Sequence, residues 1–407
     1  MKSLPKVVTD KHLIDEFLER GAEAVYPTKE LLRKKLMSGE RLKAYQGYDP
    51  TGKYLHIGHA MGIRAMRILQ KLGHEVIFLV GDFTARVGDP DKDVARKMLT
   101  LDEIKANMAG WKEQASQLID FGGDNPVQFK SNFEWLSKLR FEDVIELMSH
   151  MTVQQMLERD MFERRIKEGD PIHLQEFIYP LMQGYDSVAM NIDIEICGAD
   201  QTFNALMGRN LVKDYLEKEK FVRANVMMDA PDGRTMSKTK GNGINLSDTS
   251  EDMYGKAMSY PDHLITKGMR LLTGLPLKEI DGIEKEMKKG TNPMEFKKKF
   301  AFAIVEEVRG KEEAMKAQEF FEKTVQKKEL PDEIGEVKVK FDSKNIVELL
   351  VEVGFVSSKG EARRLIEQGG IKVRGETVAG IDEEISITNV GIILQRGKRQ
   401  VVRVVKN

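Results

Sequence analysis

Three short apolar runs, each followed by a turn that contains glycine and aspartate, dominate the hydrophobic pattern of the first half of the chain. They cover residues 42–48, 75–80 and 192–197. Runs of this length between turn residues predict buried strands of a parallel sheet. Ligands of such sheets bind beyond the carboxyl ends of the strands. The pattern therefore predicts an α/β domain whose ligand site is lined by the acids near these turns, Asp49, Asp82, Asp89 and Asp200.

Apolar positions at helical spacing fill most of the remaining chain. A helix is predicted directly after the first turn, over residues 57–72, and a long, mostly helical stretch covers 101–183. Residues 247–326 have helical spacing throughout, with faces rich in Lys and Glu. The end of the chain combines two amphipathic helices, over 346–353 and 359–368, with short alternating strands.

These patterns divide the chain into three predicted domains and a linker. The proline, glycine and charge content of residues 329–342 is typical of a linker. We therefore predict an α/β domain over 1–246 with a helical insertion at about 120–180, an all-helical domain over 247–328, and a small α+β domain over 343–407.

Composition narrows the class of protein without naming a function. The chain has 407 residues, 41% of them apolar and 32% charged, which predicts a globular protein of two or three domains. No apolar run approaches the roughly 20 residues that span a bilayer, and no signal-like segment follows Met1. We expect a cytoplasmic protein without a membrane partner. The single cysteine, Cys197, excludes internal disulfides and multi-cysteine zinc sites, and no protein-bound metal is predicted.

Charge is unevenly distributed although the net charge is only −1. Residues 343–407 contain eleven Lys or Arg against eight Asp or Glu. This excess favours a phosphate-binding surface on the last domain. Charge alone leaves open the alternative of a solvated basic end.

Two histidines three residues apart begin the helix after the first turn. His56 and His59 share one helix face, and a helix N-terminus attracts anions through its unpaired N–H groups and its dipole. Gly58 leaves bare backbone where a base or ribose can approach. Strand, glycine turn and helix together favour a nucleotide site over ordinary surface or core histidines. Because the G-x-G-x-x-G pattern is missing there, a dinucleotide-binding dehydrogenase is disfavoured.

A second phosphate signal lies in residues 232–243, a loop of small, hydroxyl and cationic residues. Lys238 stands between Ser237 and Thr239, and a lysine so placed can grip phosphates whose charge grows as a bond to phosphorus breaks. Alone, the stretch is more typical of an exposed charged loop. Together with the two histidines, it indicates a nucleotide site.

These motifs resemble those of the class I aminoacyl-tRNA synthetases. Leu55–His59 is similar to their HIGH signature, and Thr235–Thr239 is similar to their KMSKS loop with Thr235 at its first lysine. Further stretches narrow the resemblance to tyrosyl-tRNA synthetases of the bacterial type. They are Tyr45–Thr51, which resembles the strand and turn before HIGH, Tyr179–Asp186, which resembles the tyrosine-pocket helix, Gly198–Gln201, which resembles the ribose-binding turn, and residues 358–373, which resemble an S-four-type (alpha-L) RNA-binding domain.

The resemblance implies a Rossmann-like parallel-sheet catalytic domain over 1–246, an anticodon-side helical domain over 247–328 and an S-four-type RNA-binding domain over 343–407. It implies an enzyme that activates L-tyrosine with ATP to tyrosyl-adenylate and pyrophosphate. The tyrosyl group then passes to the 3′ end of tRNA(Tyr). The same resemblance implies a homodimer and Mg²⁺ that arrives with the ATP phosphates.

Individual residues also receive expected roles from the resemblance. Tyr45 and Asp186 are expected to hold the tyrosine hydroxyl, while Asp89, Tyr179 and Gln183 hold its ammonium. The expected catalytic residues are Thr51, His56, His59 and Lys238. The expected ATP-binding residues are Gly47, Asp49, Gly58, Gly198, Asp200, Gln201, Met236 and Ser237. The expected RNA-binding residues are Lys359, Arg363, Arg364 and Lys372.

Three alternatives remain open at this point. A tryptophanyl-tRNA synthetase shares the fold, although Tyr45 with Asp186 argues against an indole pocket. A synthetase-derived RNA-binding protein without catalysis is opposed by the intact signature residues. A small nucleotidyltransferase with a His-x-x-His helix is difficult to reconcile with 407 residues and the predicted RNA-binding end.

Overall fold

The computed structural model describes residues 5–89, 98–230, 236, 243–326, 334–387, 391–397 and 400–406. The chain divides into two compact units. Unit 1 comprises Met1–Asp248 and Lys256–Val308, and unit 2 comprises Thr249–Gly255 and Arg309–Asn407. The predicted domain boundaries near residues 246, 328 and 342 stay predictions.

Helices form where apolar residues recur at helical spacing, and several begin at a side chain that accepts from the first-turn backbone, such as Thr28 and Ser358. Within the described ranges, no helix combines the length and the apolar character needed to cross a membrane. Two 3₁₀ turns, Ala199–Gln201 and Asp262–Leu264, and a π-helical turn, Glu322–Gln326, accompany the helices. The α-helices are α1 (Lys11–Glu19), α2 (Lys29–Leu36), α3 (Ile57–Lys71), α4 (Thr84–Val87), α5 (Leu101–Met108), α6 (Trp111–Ser116), α7 (Phe133–Leu136), α8 (Phe141–Ser149), α9 (Val153–Leu157), α10 (Asp160–Glu168), α11 (Leu174–Ala189), α12 (Thr202–Leu216), α13 (Ser250–Met258), α14 (Ile265–Leu272), α15 (Leu277–Lys288), α16 (Met294–Arg309), α17 (Lys311–Phe321), α18 (Ile346–Glu352) and α19 (Lys359–Glu367).

Both units contain strands. Those of unit 1 are β1 (Ala22–Tyr26), β2 (Lys43–Tyr48), β3 (Glu75–Val80), β4 (Gln128–Ser131), β5 (Ile194–Gly198) and β6 (Phe221–Asn225). Those of unit 2 are β7 (Gly335–Val339), β8 (Ser343–Asn345), β9 (Ile371–Val373), β10 (Glu376–Thr377), β11 (Glu384–Ser386), β12 (Ile392–Arg396) and β13 (Gln400–Lys406). The three strands predicted from the apolar runs are therefore confirmed as β2, β3 and β5.

The sheet of unit 1 has the strand order β1-β6-β5-β2-β3-β4. Strands β2 to β6 pair in parallel, and β1 lies antiparallel to β6 at the edge. The chain passes from β2 outward to β3 and β4, and then returns to β5 on the other side of β2. The carboxyl ends of β2 and β5 thus flank the point where the strand order reverses, which is the usual ligand crevice of an open α/β sheet.

The sequence prediction missed strands β1, β4 and β6. Strand β4 lies within the predicted helical insertion and has one large apolar residue, Phe129, too few for a strand pattern. In β6 the apolar run is broken by Arg223, although every residue of the strand is buried. Its guanidinium is satisfied inside the protein, because Nε donates to the Phe17 carbonyl and Nη2 to the Arg20 carbonyl, each at 2.6 Å. A buried arginine interrupts the apolar run by which a buried strand is predicted, even when its charge is fully hydrogen-bonded.

Helices α11 and α12 pack closely against each other beside the sheet. A Cβ added at Gly184 in α11 would lie 2.8 Å from Leu211 Cδ1 and 3.2 Å from Gly208 Cα. Glycine at these two positions therefore permits the close approach of the two helices. Helix α11 carries Tyr179, Gln183 and Asp186, which are expected to contact tyrosine. The packing of α11 against α12 therefore helps to position these side chains.

Helix α14 belongs to the same unit as the six-stranded sheet. Arg64 in α3 donates through Nη2 to the Leu271 carbonyl at 3.1 Å, and Arg20 donates to the Thr273 carbonyl at 2.9 Å. Both carbonyls lie at the C-terminal end of α14, where a helix leaves acceptors unpaired. The described residues 250–326 contain helices and turns, as the sequence predicts.

Unit 2 contains a five-stranded sheet of order β10-β9-β12-β13-β7 and a two-stranded sheet of β8 and β11. The pairings are antiparallel except for β7 with β13. Helices α18 and α19 contribute Ile346, Leu350 and Ile366 to its apolar core. The mixture of helices and mainly antiparallel strands agrees with the predicted α+β class, and the S-four type stays a prediction.

Part of the predicted linker is a strand of unit 2. The sequence prediction places Gly335–Val339 in the linker, whereas these residues form β7 and pair with Val402–Lys406 of β13. Only Val337 and Val339 of this strand face the core, and charged residues occupy the alternate positions. An edge strand with so few apolar residues has the composition of a linker, so its assignment depends on a partner far along the chain.

Candidate active site

The carboxyl ends of β2, β3 and β5 bring the predicted turns together at one edge of the sheet. Asp49 follows β2, and its Oδ1 accepts from Thr84 Oγ1 at 2.8 Å in the short helix α4 after β3. Gly81, between β3 and α4, makes this contact possible, because a Cβ there would overlap both Asp49 Oδ1 and Thr84 Oγ1. Thr51 lies in the turn after β2, where its backbone N–H donates to the Asp49 carbonyl at 2.8 Å.

The two signature histidines lie together at the start of α3. His56 is the N-cap residue, and its backbone N–H donates to His59 Nδ1 at 3.0 Å. The two imidazole rings have centroids 3.7 Å apart, and the Tyr48 ring meets His59 edge-on at 5.7 Å. This pair occupies the positively polarised end of a 15-residue helix, a suitable place for phosphate oxygens.

The segment after the second phosphate signal pairs with the segment just before α3. Ile57 N–H donates to the Ile244 carbonyl and Leu246 N–H to the Leu55 carbonyl, each at 2.8 Å. Met236 is buried, and a Cβ added at Gly58 would lie 3.4 Å from Met236 Cε. The two nucleotide signals, about 180 residues apart in sequence, are therefore adjacent in space. Thr235, Ser237 and Lys238 lie outside the described residues.

Helix α11 contributes a buried carboxylate, Asp186. Asp186 accepts from Trp135 Nε1 at 2.7 Å and from Asn132 Nδ2 at 3.1 Å. Burial raises the pKa of this carboxyl well above its usual range, and the two donated hydrogen bonds oppose the rise. Sequence reasoning identified Asp186 but missed Trp135 and Asn132. Neither residue is part of a motif, and their only signal is their position after the edge strand β4.

Tyr45 lies in β2 with its hydroxyl 3.1 Å from Ser187 Oγ in α11. Burial, and then the charges of Glu195 and Asp186, raise the pKa of the Tyr45 hydroxyl well above its ordinary value. The group therefore remains a neutral phenol at physiological pH. It can donate one hydrogen bond and accept others, as a ligand hydroxyl requires.

Tyr179 and Asp89, which are also expected to contact tyrosine, each bond to a residue expected to bind ATP. Tyr179 donates from its hydroxyl to Asp49 Oδ2 at 2.8 Å, and burial followed by the Asp49 charge raises the pKa of Tyr179 well above its ordinary value. Asp89 Oδ2 accepts from Gln201 Nε2 at 2.6 Å. Asp49, expected to bind ATP, thus directly contacts a residue expected to bind the tyrosine ammonium.

The other expected ATP-binding residues lie along the crevice between β2 and β5. Gly47 is an exposed residue of β2, Gly198 ends β5, and Asp200 is exposed in the 3₁₀ turn that follows. A Cβ at Gly198 would overlap Asp200 Oδ1. The turn is therefore tight and leaves its carboxylate at the mouth of the crevice.

The expected RNA-binding cations lie on the surface of unit 2. Lys359, Arg363 and Arg364 are exposed on α19, and Lys372 is exposed in β9. Lys359 Nζ lies 2.6 Å from Glu348, an exposed pair that contributes little stability. Arg396 is one of the eleven basic residues counted in residues 343–407. Its guanidinium donates to the Phe355 carbonyl and to the Glu361 carboxylate, so it bonds within unit 2.

Comparison with known proteins gives the same family over nearly the whole chain. The sequence profile of "tRNA synthetases class I (W and Y)" matches residues 37–326, and that of the "Tyrosine--tRNA ligase SYY-like C-terminal domain" matches residues 326–404. Tyrosine–tRNA ligase of Thermotoga maritima is 43% identical over 392 residues, which are 96% of each chain. That of Moorella thermoacetica is 41% identical over 394 residues, 95% of this chain and 94% of the relative.

Solved structures share the fold. A C-terminally truncated mitochondrial tyrosyl-tRNA synthetase of Aspergillus nidulans superposes with a TM-score of 0.64 at 23% identity, covering 76% of this chain and 93% of that one. The tyrosyl-tRNA synthetase of Archaeoglobus fulgidus, solved with L-tyrosine, has a TM-score of 0.59 at 22% identity and covers 76% and 100%. The first profile includes tryptophan enzymes, whereas the second profile and these relatives name tyrosine alone. With relatives above 40% identity along its length, the chain belongs to the tyrosine–tRNA ligase family of class I tRNA synthetases.

Proposed function

We propose that this chain activates L-tyrosine with ATP at the edge between β2 and β5, and then transfers the tyrosyl group to the 3′ end of tRNA(Tyr). The observation that carries the proposal is the contact between the two nucleotide signals, with Met236 of the second loop against Gly58 of the histidine helix. The two residues proposed to bind the substrate hydroxyl, Tyr45 and Asp186, are both buried.

Activation requires positioning and charge stabilisation more than acid–base chemistry. A carboxylate oxygen of tyrosine attacks the α-phosphorus of ATP, the bond from that phosphorus to the bridging oxygen breaks, and pyrophosphate leaves. Because the nucleophile is already ionised, no general base is needed. Thr51, His56, His59 and Lys238 are proposed to stabilise the negative charge that grows on the phosphate oxygens. In the second step a terminal ribose hydroxyl of the tRNA attacks the tyrosyl carbonyl, and AMP leaves.

Recognition of tyrosine is assigned to two groups of side chains. Tyr45 and Asp186 are proposed to bind the substrate hydroxyl, since a buried hydroxyl requires both a donor and an acceptor. Asp89, Tyr179 and Gln183 are proposed to bind the ammonium, which favours a carboxylate with further acceptors. Phenylalanine in this pocket would leave buried polar groups unpaired, at a cost in binding free energy.

ATP is assigned to the crevice beside the histidine helix. The proposed contacts are Gly47, Asp49, Gly58, Gly198, Asp200, Gln201, Met236 and Ser237. Among the described residues no three His, Cys, Asp or Glu side chains form a group that could hold a metal ion. We therefore propose that Mg²⁺ is held mainly by phosphate oxygens and water, where it neutralises phosphate charge.

The other assignments keep the predicted domain plan. Residues 1–246 are proposed as the catalytic domain, 247–328 as the anticodon-side helical domain and 343–407 as the S-four-type RNA-binding domain, now joined by strand β7. Exposed Lys359, Arg363, Arg364 and Lys372 support the RNA assignment. A cytoplasmic location is proposed on the single cysteine and on the function itself.

The proposed function is tested by tyrosine-dependent exchange of radiolabelled pyrophosphate into ATP. We expect exchange with tyrosine and not with tryptophan or phenylalanine, because the pocket pairs Tyr45 and Asp186 with a substrate hydroxyl. The measurement is the initial rate with each amino acid at equal concentration. Exchange that depends on tryptophan, or none with any amino acid, would contradict the proposal. A Tyr45→Phe variant serves as the matched control for the hydroxyl contact.

A homodimer is proposed from an exposed apolar stripe on α8. Phe141, Ile145 and Met148 are spaced on one helix face and are 80%, 54% and 46% exposed. Large apolar patches on a soluble protein usually mark an interaction surface, and the resemblance favours a second copy of the chain as the partner.

Ile145→Asp is expected to convert the dimer to a monomer, because it places a charge in the centre of the apolar stripe. Sedimentation velocity at micromolar concentration measures the change. Met315→Asp is the matched control, since Met315 is equally exposed, at 58%, but belongs to α17 rather than to the stripe. A monomeric wild-type protein, or dissociation by the control alone, would refute this interface.

A further inference from the structure

A buried ion pair lies directly beneath the proposed tyrosine site. Glu195 in β5 and Lys220, the residue before β6, are 2% and 0% exposed, and the Lys220 ammonium contacts Glu195 Oε2. Lys220 also donates to the Ala205 carbonyl at 3.2 Å. Burying two charges costs free energy that an apolar pair would not. We therefore looked to the contacts of Glu195 for a role of this pair other than stabilising the fold.

The Glu195 carboxylate contacts residues of the proposed tyrosine site at two places. Its Oε1 accepts from Gln183 Nε2 at 3.0 Å. Its Oε2 lies 3.5 Å from Ser187 Oγ, which in turn lies 3.1 Å from the Tyr45 hydroxyl. One buried carboxylate thus contacts the residue proposed for the substrate ammonium and, through Ser187, the residue proposed for the substrate hydroxyl.

The chemistry of these contacts determines the orientation of the Gln183 amide. A carboxylate only accepts hydrogen bonds, so the amide must turn its NH₂ group toward Glu195. Its carbonyl oxygen then points the other way, where it already accepts from Asn204 Nδ2 at 3.1 Å. An ammonium ligand needs an oxygen and is repelled by an NH₂ group. The flipped amide would present the wrong group to the substrate.

Space for the ion pair is provided by the contact between α11 and α12. A Cβ added at Gly208 would lie 2.5 Å from Lys220 Nζ and 3.2 Å from both Gly184 Cα and Ser187 Oγ. The ammonium therefore occupies a position that any larger residue at 208 would obstruct. Both helices that flank the tyrosine site are packed around this charge.

We propose that Glu195, held by Lys220, is a positioning residue that sets the Gln183 amide with its oxygen toward the tyrosine ammonium and steadies the Ser187 and Tyr45 hydroxyls. This inference rests on the proposed roles of Gln183 and Tyr45 in binding tyrosine. Glu195 acts through its neighbours. Its effect should therefore appear in the KM for tyrosine and not in the KM for ATP.

The test compares paired variants in which no buried charge is left without its partner. Lys220→Met is combined either with Glu195→Ala, which removes the acceptor, or with Glu195→Gln, which keeps an oxygen and the side-chain volume. In tyrosine-dependent pyrophosphate exchange, the alanine variant is expected to raise the KM for tyrosine about 10-fold, as for loss of one hydrogen bond to a charged group. The glutamine variant should raise the KM for tyrosine about threefold, because its amide oxygen can still accept from Gln183 but the amide can also turn its NH₂ group toward Gln183. The KM for ATP should change less than twofold in both.

A matched control removes another buried ion pair that contacts the same helix. Arg165 in α10 and Glu176 in the first turn of α11 have side chains 1% and 7% exposed, and Arg165 Nη1 lies 2.6 Å from Glu176 Oε2. Arg165→Met with Glu176→Gln should lower the unfolding temperature without changing the KM for tyrosine. If this control raises the KM as much as the Glu195 variants, the effect is structural and the inference is overturned.

Coupling to Gln183 distinguishes the inference from the proposed function. In a Gln183→Ala background, the paired Glu195 variants should change the KM for tyrosine less than twofold, because the positioned amide is gone. An undiminished effect there overturns the inference. So does an unchanged KM for tyrosine in the paired variants while Gln183→Ala itself raises it. If Gln183→Ala leaves the KM for tyrosine unchanged, the proposed role of Gln183 fails, and the inference fails with it. If the alanine variant does not fold, the volume-conserving glutamine variant gives the same set of outcomes.

Discussion

Replacing His56 with alanine is expected to lower kcat for tyrosine activation about 100- to 1000-fold while the KM for tyrosine changes less than twofold. Loss of one preorganised donor to a developing oxyanion has an effect of this size. The substitution removes the ring but retains the His56 backbone N–H, which donates to His59 Nδ1 and starts α3. The helix should therefore remain in place. Pyrophosphate exchange at varied tyrosine and ATP concentrations measures both constants.

The matched control for this prediction is His12→Ala, which removes an exposed imidazole from α1. It should leave exchange unchanged. Equal losses in kcat and in tyrosine affinity for His56→Ala would contradict a role specific to the transition state. His59→Ala is informative as a comparison, because it removes both a ring and the acceptor of the N-cap hydrogen bond, and is expected to lower stability as well as rate.

Replacing the exposed cations of unit 2 with alanine is expected to weaken tRNA binding about 100- to 1000-fold near 0.1 M salt, while tyrosine-dependent exchange stays within twofold. Each lost phosphate contact removes about 0.7–0.9 from the slope of log affinity against log salt concentration, so four contacts account for about three decades at that salt. The variant changes Lys359, Arg363, Arg364 and Lys372. Filter binding of tRNA(Tyr) at several salt concentrations gives both the affinity and the slope.

A control variant tests whether any loss of four positive charges has this effect. It replaces exposed lysines of unit 1, namely Lys29, Lys34, Lys71 and Lys213. The control should retain most of the affinity and the salt slope. An unchanged slope in the unit 2 variant, or an equal loss in the control, would contradict the assignment of α19 and β9 as an RNA-binding surface.

Local patterns predicted the elements that build the site. Strands β2, β3 and β5 are apolar runs that end in glycine turns, and α3 has helical spacing directly after one of them. These elements are determined by residues close in sequence, so their boundaries could be predicted within about two residues. Strand β7 and strand β4 could not be predicted, because each has few apolar residues and becomes a strand only by pairing with a partner far along the chain.

In the candidate site, too, some residues could be predicted from the sequence and others depend on contacts between distant segments. His56 and Asp186 could be selected from motifs, but the groups that surround them could not. Trp135 lies 51 residues from the carboxylate to which it donates, and Lys220 lies 25 residues from Glu195. Glu195 itself is one of several acids in an apolar stretch and carries no signal until its partners are known.

The sequence by itself determined the parallel strands β2, β3 and β5, the helix that begins at the two histidines, and the family, because these depend on apolar periodicity and on short local motifs. The tertiary structure decided which groups touch: Met236 against Gly58, Tyr179 on Asp49, and Glu195 on Gln183. Such contacts join residues far apart along the chain, and a hydrogen bond depends on distance and angle that no linear pattern specifies.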